Sequence, residues 1–222
     1  GLGELDQTNT DAIMQWLSAN GALYGTYTVM RMIGRVAFPI FCFLLVEGFL
    51  HTHDVKKYAM RLGLFALLSE IPFDLAFSSK ILEFNYQNVF FTLFIGLLTM
   101  IAYRAVEEKE EWGQAWKVIL YILIVAAGMA LAYFLKTDYA EKGVFCIMVL
   151  YIFRKKKMWQ LIAGCASFIW ETPALFGFIP IAFYNGTRGW KMKYFFYIFY
   201  PAHLLILYLL CYFMGISGYS AV

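Results

Sequence analysis

Long apolar segments, separated by short polar breaks, run through almost the whole of this chain. Of its 222 residues, 62% are hydrophobic and 15% are charged, which is outside the composition of soluble globular domains. Most apolar segments have about the length that a helix needs to cross a hydrocarbon core, roughly 17–25 residues. They lack the period-two alternation of a membrane barrel. We therefore predict an all-α polytopic membrane protein with about eight membrane-embedded helices in one bundle, some of them short or kinked.

The apolar segments give the approximate positions of the helices. They lie at residues 27–50, 56–77, 88–106, 116–135, 139–153, 158–171, 173–184 and 194–215. Residues 1–26 are polar, and residues 1–222 are predicted to form a single integral-membrane domain because no repeat or low-complexity linker divides them. The fifth and seventh segments are short for a full crossing. A re-entrant pair around ETPALFGFIP, broken by Pro173 and Pro180, is therefore an alternative to two crossings.

Basic residues are concentrated in alternate connections between these segments. Four connections carry most of them, at residues 51–61, 104–117, 154–157 and 184–193. If every segment crosses the membrane, these connections lie on the same side of it. The positive-inside rule then places them in the cytoplasm and both chain termini outside.

Cysteine usage and net charge exclude several classes of protein. The four cysteines lie singly within apolar segments, which favours packing over a disulfide framework or a metal site, and no metal is predicted. The net charge of +3 is modest, and the basic residues lie at the ends of segments, where they orient helices. We expect contact with membrane lipids and no nucleic-acid partner, and the oligomeric state is left open.

Several charged side chains lie inside apolar segments, where each costs at least about 2.5–3.5 kcal/mol to insert. Pairs with i,i+4 spacing occupy the first two segments: Arg31 with Arg35, Glu47 with His51, and Glu70 with Asp74. Pro72 separates the last pair and should kink its helix, which would turn both carboxylates toward the interior. The third segment carries a stripe of small and polar residues: Asn88, Thr92, Gly96 and Thr99. This stripe is either a surface for close helix packing or part of a polar site.

Position along each helix, at about 1.5 Å per residue, sorts these groups into two levels. The inner level contains Glu47, His51, Arg61, Asn185, Gly186 and Arg188. The outer level contains Arg35, Glu70, Asp74, Thr92 and His203. Together they predict a polar seam through the bundle that is open to reactants from both faces.

Two roles are open for His203. A structural histidine would bond to a neighbouring carbonyl or to the hydroxyl of Tyr197 or Tyr200. Because two acids and an arginine are expected at the same depth, the role of general base is favoured. Histidine is the natural proton acceptor at neutral pH.

Five stretches of the sequence occur together in one known family: RMIGRVAFPIFCFLLVEGF at 31–49, YAMRLGLFALLSEIPFDLAF at 58–77, NVFFTLFIGLL at 88–98, YNGTRG at 184–189 and KYFFYIFYPAHLLILYL at 193–209. In order and wording they resemble the TraX family. The namesake of that family acetylates the amino terminus of a conjugative pilin, and its relatives are often labelled fimbrial assembly proteins. The resemblance implies a multi-pass acyltransferase of the bacterial inner membrane that takes acetyl from cytoplasmic acetyl-CoA.

The resemblance also singles out the polar residues that recur in the family. Besides most residues of the two levels, the matching positions are Ser69, Asn88, Asp138 and Gly189. It further implies an apolar helix with an Asp-His pair ahead of the RVAFPIF stretch. Residues 1–27 are polar here and contain no such pair.

Acetyl transfer requires a base, donors for an oxyanion and a basic rim for the phosphates of the donor. The predicted catalytic residues are His203 as base, Glu70 or Asp74 as its partner or as the site of an acceptor ammonium, and Arg35 as an oxyanion donor. The predicted substrate-binding residues are Glu47, Asn88 and Thr92, the last two as further donors. The predicted acetyl-CoA-binding residues are His51, Arg61, Asn185, Gly186, Arg188 and Lys193.

Two other functions are open. A small transporter would use Arg35, Glu70, Asp74 and His203 as a proton or solute relay, but the two halves of the chain show no similarity. A non-catalytic fimbrial or pilus assembly factor would hold a hydrophobic helix between its own helices. The sequence does not specify the acceptor, which is a peptide, a small amine or a hydroxyl compound.

Overall fold

The computed structural model describes residues 10–78, 83, 85–187 and 193–213, and almost all of this part is helical. The elements in chain order are α1 (Thr10–His51), α2 (Val55–Ser78), α3 (Val89–Glu107), α4 (Gln114–Phe134), α5 (Ala140–Ile152), α6 (Lys157–Ser167), a 3-10 helix (Thr172–Gly177), α7 (Phe178–Phe183) and α8 (Lys193–Phe213). No β-strand occurs in these residues, and the all-α prediction is confirmed.

Most helices lie within a few residues of their predicted positions, but the first and seventh differ. α1 begins at Thr10 rather than near residue 27. Residues 10–26 include alanine, leucine, methionine and glutamine, which have high helix propensity, and they include no proline. The predicted helix at 173–184 is divided into the 3-10 helix and α7, and each of the two has a proline, Pro173 or Pro180, in its first turn, where proline is tolerated.

Three helical stretches of the described residues are long and apolar enough to cross a membrane: Tyr24–His51 of α1, α3 and α4. The chain is therefore a helical membrane protein. α5 and α6 have only 13 and 11 residues. At about 1.5 Å per residue, each is shorter than a hydrocarbon core of roughly 30 Å. Crossings by α2, α5, α6, α7 and α8, and hence the count of eight, stay predictions.

α5 lies at the centre of the bundle, packed against α1, α3, α4 and α6. Small residues allow this close approach. A Cβ atom placed on Gly143 of α5 would meet Thr92 at 2.5 Å and Tyr139 at 2.9 Å. One placed on Gly96 of α3 would meet Ile147 at 2.5 Å. Thr92 and Gly96 of the predicted stripe therefore pack directly against α5, and Thr99 packs against Gly128 of α4.

Gly143→Val is expected to destabilise the folded protein. The added side chain would collide with Thr92 and Phe38, both buried, and such overpacking costs about 1–3 kcal/mol. Thermal unfolding in detergent measures the loss. Gly34→Val is the matched control, because Gly34 is exposed and nothing lies within 4 Å of its Cβ position. Equal melting temperatures for the two variants would show that the glycine is not a packing requirement.

The four basic connections lie at one end of the bundle, which we call the inner end. The contacts are between the Arg104 guanidinium and the Phe49 ring at 5.5 Å, Arg154 Nη2 and Glu107 Oε2 at 2.7 Å, and Lys157 Nζ and Tyr184 O at 2.7 Å. These contacts join the end of α1 to that of α3, α3 to the α5–α6 connection, and α6 to the end of α7. The grouping predicted from the positive-inside rule is therefore present in the fold.

The opposite end, which we call the outer end, contains the connections that precede α3, α5 and the 3-10 helix. A short parallel bridge joins two of them: Gln87 N donates to Lys136 O at 3.0 Å, and Asp138 N donates to Gln87 O at 2.8 Å. Three helices extend past this level, namely the N-terminal part of α1 and the C-terminal parts of α2 and α8. The same three helices contribute Arg35, Glu70, Asp74 and Tyr200 to the polar side chains described next.

Candidate active site at the outer end

Ionisable and polar side chains from several elements meet at the outer end, and we call them the outer cluster. They are Arg35 of α1, Glu70 and Asp74 of α2, Tyr86 and Asn88 ahead of α3, Asp138 ahead of α5, Glu171 ahead of the 3-10 helix, and Tyr200 of α8. Glu70, Asp74, Asn88 and Glu171 are each at most 9% exposed. Such groups are rarely buried without partners.

Asn88 joins α2 to the start of α3. Its Oδ1 accepts a hydrogen bond from Phe90 N at 3.0 Å and so caps α3. Its Nδ2 donates to Ala66 O at 2.8 Å and to Glu70 Oε2. Both amide hydrogens are thereby committed to protein acceptors. Asn88 therefore positions the Glu70 carboxylate.

Both carboxylates of α2 point into the bundle, which confirms the orientation predicted from Pro72. Asp74 is 1% exposed, and its Oδ2 accepts a hydrogen bond from Glu83 N at 2.7 Å. Glu70 is 7% exposed, and its second oxygen, Oε1, is buried without a hydrogen-bond partner. Glu70 Oε1 is therefore an acceptor that a bound substrate can use.

An ion pair joins α1 to the turn after α6. Arg35 Nη1 contacts Glu171 Oε1, and the two side chains are 34% and 11% exposed. Arg35 was predicted at this level, whereas Glu171 was not among the predicted site residues. The signal was present in the sequence, because an acid within the apolar stretch 168–180 requires a cation at its own depth.

The α4–α5 connection contributes Asp138. Tyr86 donates its hydroxyl hydrogen to Asp138 Oδ1 at 2.6 Å, and Thr92 donates to the Asp138 backbone oxygen. Thr92 therefore holds this turn against α3. Burial raises the pKa of the Asp138 carboxyl, although the hydrogen bond from Tyr86 opposes the shift. The position was singled out by the family resemblance, and the fold supplies its partners.

The raised pKa of Asp138 predicts a pH dependence of stability. The folded protein holds this proton more tightly than the unfolded chain, so the stabilisation is complete below a pH of about 3.9. It is lost as the pH rises through the pKa of the folded state. Melting temperatures between pH 4 and 7 should therefore fall more steeply for wild type than for Asp138→Asn.

Asp54, between α1 and α2, provides a control of opposite sign. The Lys57 backbone N–H donates to Asp54 Oδ1 at 2.9 Å and holds the pKa of that carboxyl below its usual value. The Asp54 carboxylate therefore stabilises the folded protein at neutral pH, and this stabilisation is lost as the pH falls. Asp54→Asn should lack it at every pH. An Asp138→Asn profile parallel to that of wild type would contradict the assignment.

Tyr200 of α8 connects the two halves of the outer cluster. Its ring meets Phe90 edge-on, with centroids 5.0 Å apart. Its hydroxyl lies beside the Val89 backbone and within electrostatic range of Glu70 and Asp138. From the sequence, Tyr200 is considered only as a partner for His203. In the fold it is the α8 side chain that reaches the carboxylates.

His203 lies one turn further along α8. Its ring stacks on Phe199 with centroids 5.1 Å apart, and its Nδ1 bonds to Phe199 O at 2.9 Å. A carbonyl oxygen only accepts, so Nδ1 carries the hydrogen and Nε2 keeps the lone pair that a base requires. Among the described residues, the partners of His203 all belong to α8, and no carboxylate orients its ring.

The predicted inner-level residues lie at the inner end. His51 Nδ1 donates to Glu47 O at 2.9 Å and lies 3.8 Å from Glu47 Oε2, so the pair shares one face as predicted. The Arg61 guanidinium lies 5.9 Å from the Tyr58 ring centre and beside the Tyr197 hydroxyl. These side chains form a partly exposed polar surface at the inner end of the bundle.

The loop after α7 has the geometry of a tight turn. Asn185 Oδ1 accepts from Thr187 N at 3.0 Å, and Gly186 has a φ of 76°, in the left-handed region that favours glycine. Glycine is therefore required here by backbone geometry. Arg188 lies outside the described residues, and the side chain of Lys193, at the start of α8, does too.

Between the two levels, the interface of α1 with α5 is apolar. Phe38, Cys42 and Ile147 are at most 3% exposed and belong to the hydrophobic core. The helix rises about 18 Å from Arg35 to Glu47. The predicted polar seam is therefore interrupted along α1, because the central helix is packed through apolar side chains.

The outer cluster is acidic. As defined, it contains four carboxylates, Glu70, Asp74, Asp138 and Glu171, and the arginine Arg35, which is paired with Glu171. Arg31 lies within electrostatic range of Tyr86 at its edge. Such a set favours a cationic ligand, for example an ammonium. Within the described part of the chain, no group of three or more His, Cys, Asp or Glu side chains is arranged to hold a metal ion.

A sequence profile described as TraX protein matches residues 17–211. This range is far more than half of the 222 residues. The chain belongs to the TraX family. Every member of the outer cluster, from Arg35 to Tyr200, lies inside the range that this TraX chain shares with its family.

One relative of this TraX chain is named probable fimbrial assembly protein FimC, serogroup H1, from Dichelobacter nodosus. The two sequences are 27% identical, and the similarity covers 82% of each chain. No solved structure matches the TraX chain.

Proposed function

We propose that this TraX-family chain is an acyltransferase of a bacterial inner membrane that moves an acetyl group from acetyl-CoA to an amine, such as a pilin-like amino terminus. The observation that carries the proposal is the buried acidic pair. Glu70 is fixed by Asn88 and keeps one oxygen unpartnered, and Asp74 lies one turn away, almost fully buried. Buried carboxylates favour a cation beside them. An acceptor ammonium supplies that charge.

The chemistry requires proton transfer and acyl transfer. His203 Nε2 accepts a proton from the ammonium, and the neutral nitrogen attacks the thioester carbonyl carbon. The tetrahedral intermediate collapses when the carbon–sulfur bond breaks, which leaves an amide and the CoA thiolate. Of the two hydrogens that the ammonium loses, one ends on the CoA sulfur and the other leaves with solvent.

Arg35 and Tyr200 are the best-placed donors for the oxyanion of this intermediate. The Arg35 guanidinium has five N–H hydrogens, and its contact with Glu171 leaves others available. Asn88 and Thr92 have hydrogens committed to protein oxygens. We therefore assign them to positioning, and their contact with substrate stays a prediction.

The donor is proposed to approach from the inner end. Arg61 and His51 supply cations or donors for phosphate oxygens, and the turn at Asn185 and Gly186 offers backbone N–H groups. A cytoplasmic inner end, expected from its basic connections, would place this surface in contact with acetyl-CoA.

A non-catalytic role in fimbrial or pilus assembly is the second candidate, because the FimC relative is named an assembly protein. In this role the exposed apolar faces of α1 and α8 beyond the outer cluster would bind a pilin-like helix. The two candidates share a partner and differ only in whether a covalent bond is made.

Labelled acetyl-CoA separates these candidates. The purified full chain is incubated in detergent with a hydrophobic peptide that has a free amino terminus, and with the same peptide already N-acetylated. Acyltransfer predicts label on the first peptide only. A stable complex with both peptides and no label would support the assembly role. Net solute uptake into vesicles without labelled peptide would support a transporter instead.

A further inference from the structure

One side of α2 faces α8 between the inner and outer levels. Arg61, Phe65 and Ser69 recur every four residues and so lie on one side of α2. Tyr197 of α8 stacks on Phe65, with ring centroids 4.8 Å apart, and its hydroxyl lies beside the Arg61 guanidinium. α8 packs mainly against α2. This side of α2 therefore forms part of the interface between the two helices.

Buried polar atoms without a hydrogen-bond partner are concentrated on this part of α2. Among the described residues they are Arg61 Nε, Ser69 Oγ and Glu70 Oε1. Ser69 has an exposed fraction of 0%, and Glu70 is 7% exposed. Native proteins satisfy nearly all such atoms. Their location on one helix, beside hydroxyls of Tyr197 and Tyr200, points to a polar ligand that follows α2.

We propose that the pantetheine arm of acyl-CoA lies between α2 and α8, with its phosphate end at Arg61 and its thioester at Glu70. This inference rests on the proposed function. α2 rises about 14 Å from Arg61 to Glu70, which is of the order of an extended pantetheine arm. The arm carries two amides and a hydroxyl, and these groups need buried donors and acceptors of this kind.

This placement also connects the two levels. Along α1 and α5, the space between the inner and outer levels is filled by apolar side chains such as Phe38 and Ile147. Along α2 and α8 it contains Ser69 and the Tyr197 hydroxyl, with the Phe65 and Tyr197 rings stacked between the levels. Of these two interfaces, the one between α2 and α8 therefore offers polar partners to a donor that extends from the inner end to the outer cluster.

Thiol–disulfide exchange tests the path without requiring turnover. Ser69→Cys and Leu68→Cys are prepared in the full chain; Leu68 is the matched control because it is 53% exposed on the other side of α2. Each is treated with the mixed disulfide of CoA and thiopyridine, which transfers the CoA half to an accessible thiol. Wild type gives the background from its native cysteines. We expect Ser69→Cys to be labelled at least about tenfold faster than Leu68→Cys, and excess acetyl-CoA to suppress that labelling.

Labelling of the two variants at equal rates, or labelling of Ser69→Cys that acetyl-CoA does not slow, would overturn the placement. Ser69→Leu gives a second readout by filling the path. Its affinity for CoA should fall to that of the nucleotide part alone, whereas wild type should bind CoA at least about tenfold more tightly than that part. Equal CoA affinity in Ser69→Leu and wild type would again contradict it.

The proposed function can fail separately from this inference. If Ser69→Cys is labelled selectively but no acetyl reaches any amine, the donor site stands and the transfer reaction fails. If peptide amines are acetylated but Ser69→Cys behaves like Leu68→Cys, the reaction stands and the donor takes another path.

Discussion

Replacing His203 by alanine should abolish acetyl transfer and leave donor binding intact. Removal of a general base lowers kcat by about 10²–10⁴-fold. The fold should survive, because the ring contacts of His203 within the described part of the chain are with Phe199 and Tyr200 of its own helix. Label transfer to a peptide amine measures kcat, and titration with CoA measures donor binding. Turnover at the wild-type rate would remove the base assignment.

His51→Ala is the matched control for His203→Ala. Both histidines bond through Nδ1 to the carbonyl four residues earlier, at 2.9 Å in each case. His51 lies at the inner end, so its loss should raise the KM for acetyl-CoA and leave kcat within about twofold of wild type. If both variants lose kcat equally, a general loss of structure is the better explanation.

Glu70→Gln should weaken acceptor binding more than it affects the fold. The glutamine oxygen can still accept a hydrogen from Asn88 Nδ2, so α2 stays tied to α3. The charge is lost, and a charge-assisted hydrogen bond to an ammonium is worth about 1.5–3 kcal/mol, or roughly 10- to 150-fold in acceptor KM. Initial rates at varied peptide concentration, at saturating acetyl-CoA, measure this value.

Glu108→Gln is the control for effects that the loss of any carboxylate would have. Glu108 lies at the inner end, where its Oε1 accepts from Arg104 Nε at 3.0 Å in an exposed i,i+4 pair. Exposed pairs contribute little, so its kinetics and melting temperature should match wild type. An unchanged acceptor KM in Glu70→Gln would exclude Glu70 as the ammonium site.

The architecture was largely predictable, because apolar length and proline position determine where membrane helices begin and end. Pro173 and Pro180 lie in the first turns of the two short helices that replace the predicted seventh segment, and Thr92 and Gly96 of α3 mark its contact with α5. Hydropathy does not locate the start of α1 at Thr10, because a segment can have high helix propensity without being apolar.

The individual members of the outer cluster were partly predictable, and their pairings were not. Arg35, Glu70 and Asp74 were recognised because a charge in an apolar helix is costly wherever it points. Their partners come from other segments: Glu171 lies 136 positions from Arg35, and Asn88 lies 18 positions from Glu70. One sequence does not reveal which distant segments pack together.

The continuity of the polar seam could not be predicted for the same reason. Depth along a helix sorted the polar residues into two levels, and the fold contains both. Whether polar groups fill the space between the levels depends on which helices face each other there. α1 faces α5 through apolar side chains such as Cys42, whereas Ser69 of α2 is buried as a polar group.

The helices that extend past the outer cluster each contain a proline near its depth: Pro39 in α1, Pro72 in α2 and Pro201 in α8. Proline has no N–H, so in each helix the carbonyl four residues earlier loses its intrahelical hydrogen bond, and the backbone bends most easily there. The backbones of α1, α2 and α8 therefore bend at least cost beside the outer cluster. If the acceptor is a membrane helix, as proposed, a change of tilt in these three helices would open a route for it from the lipid phase.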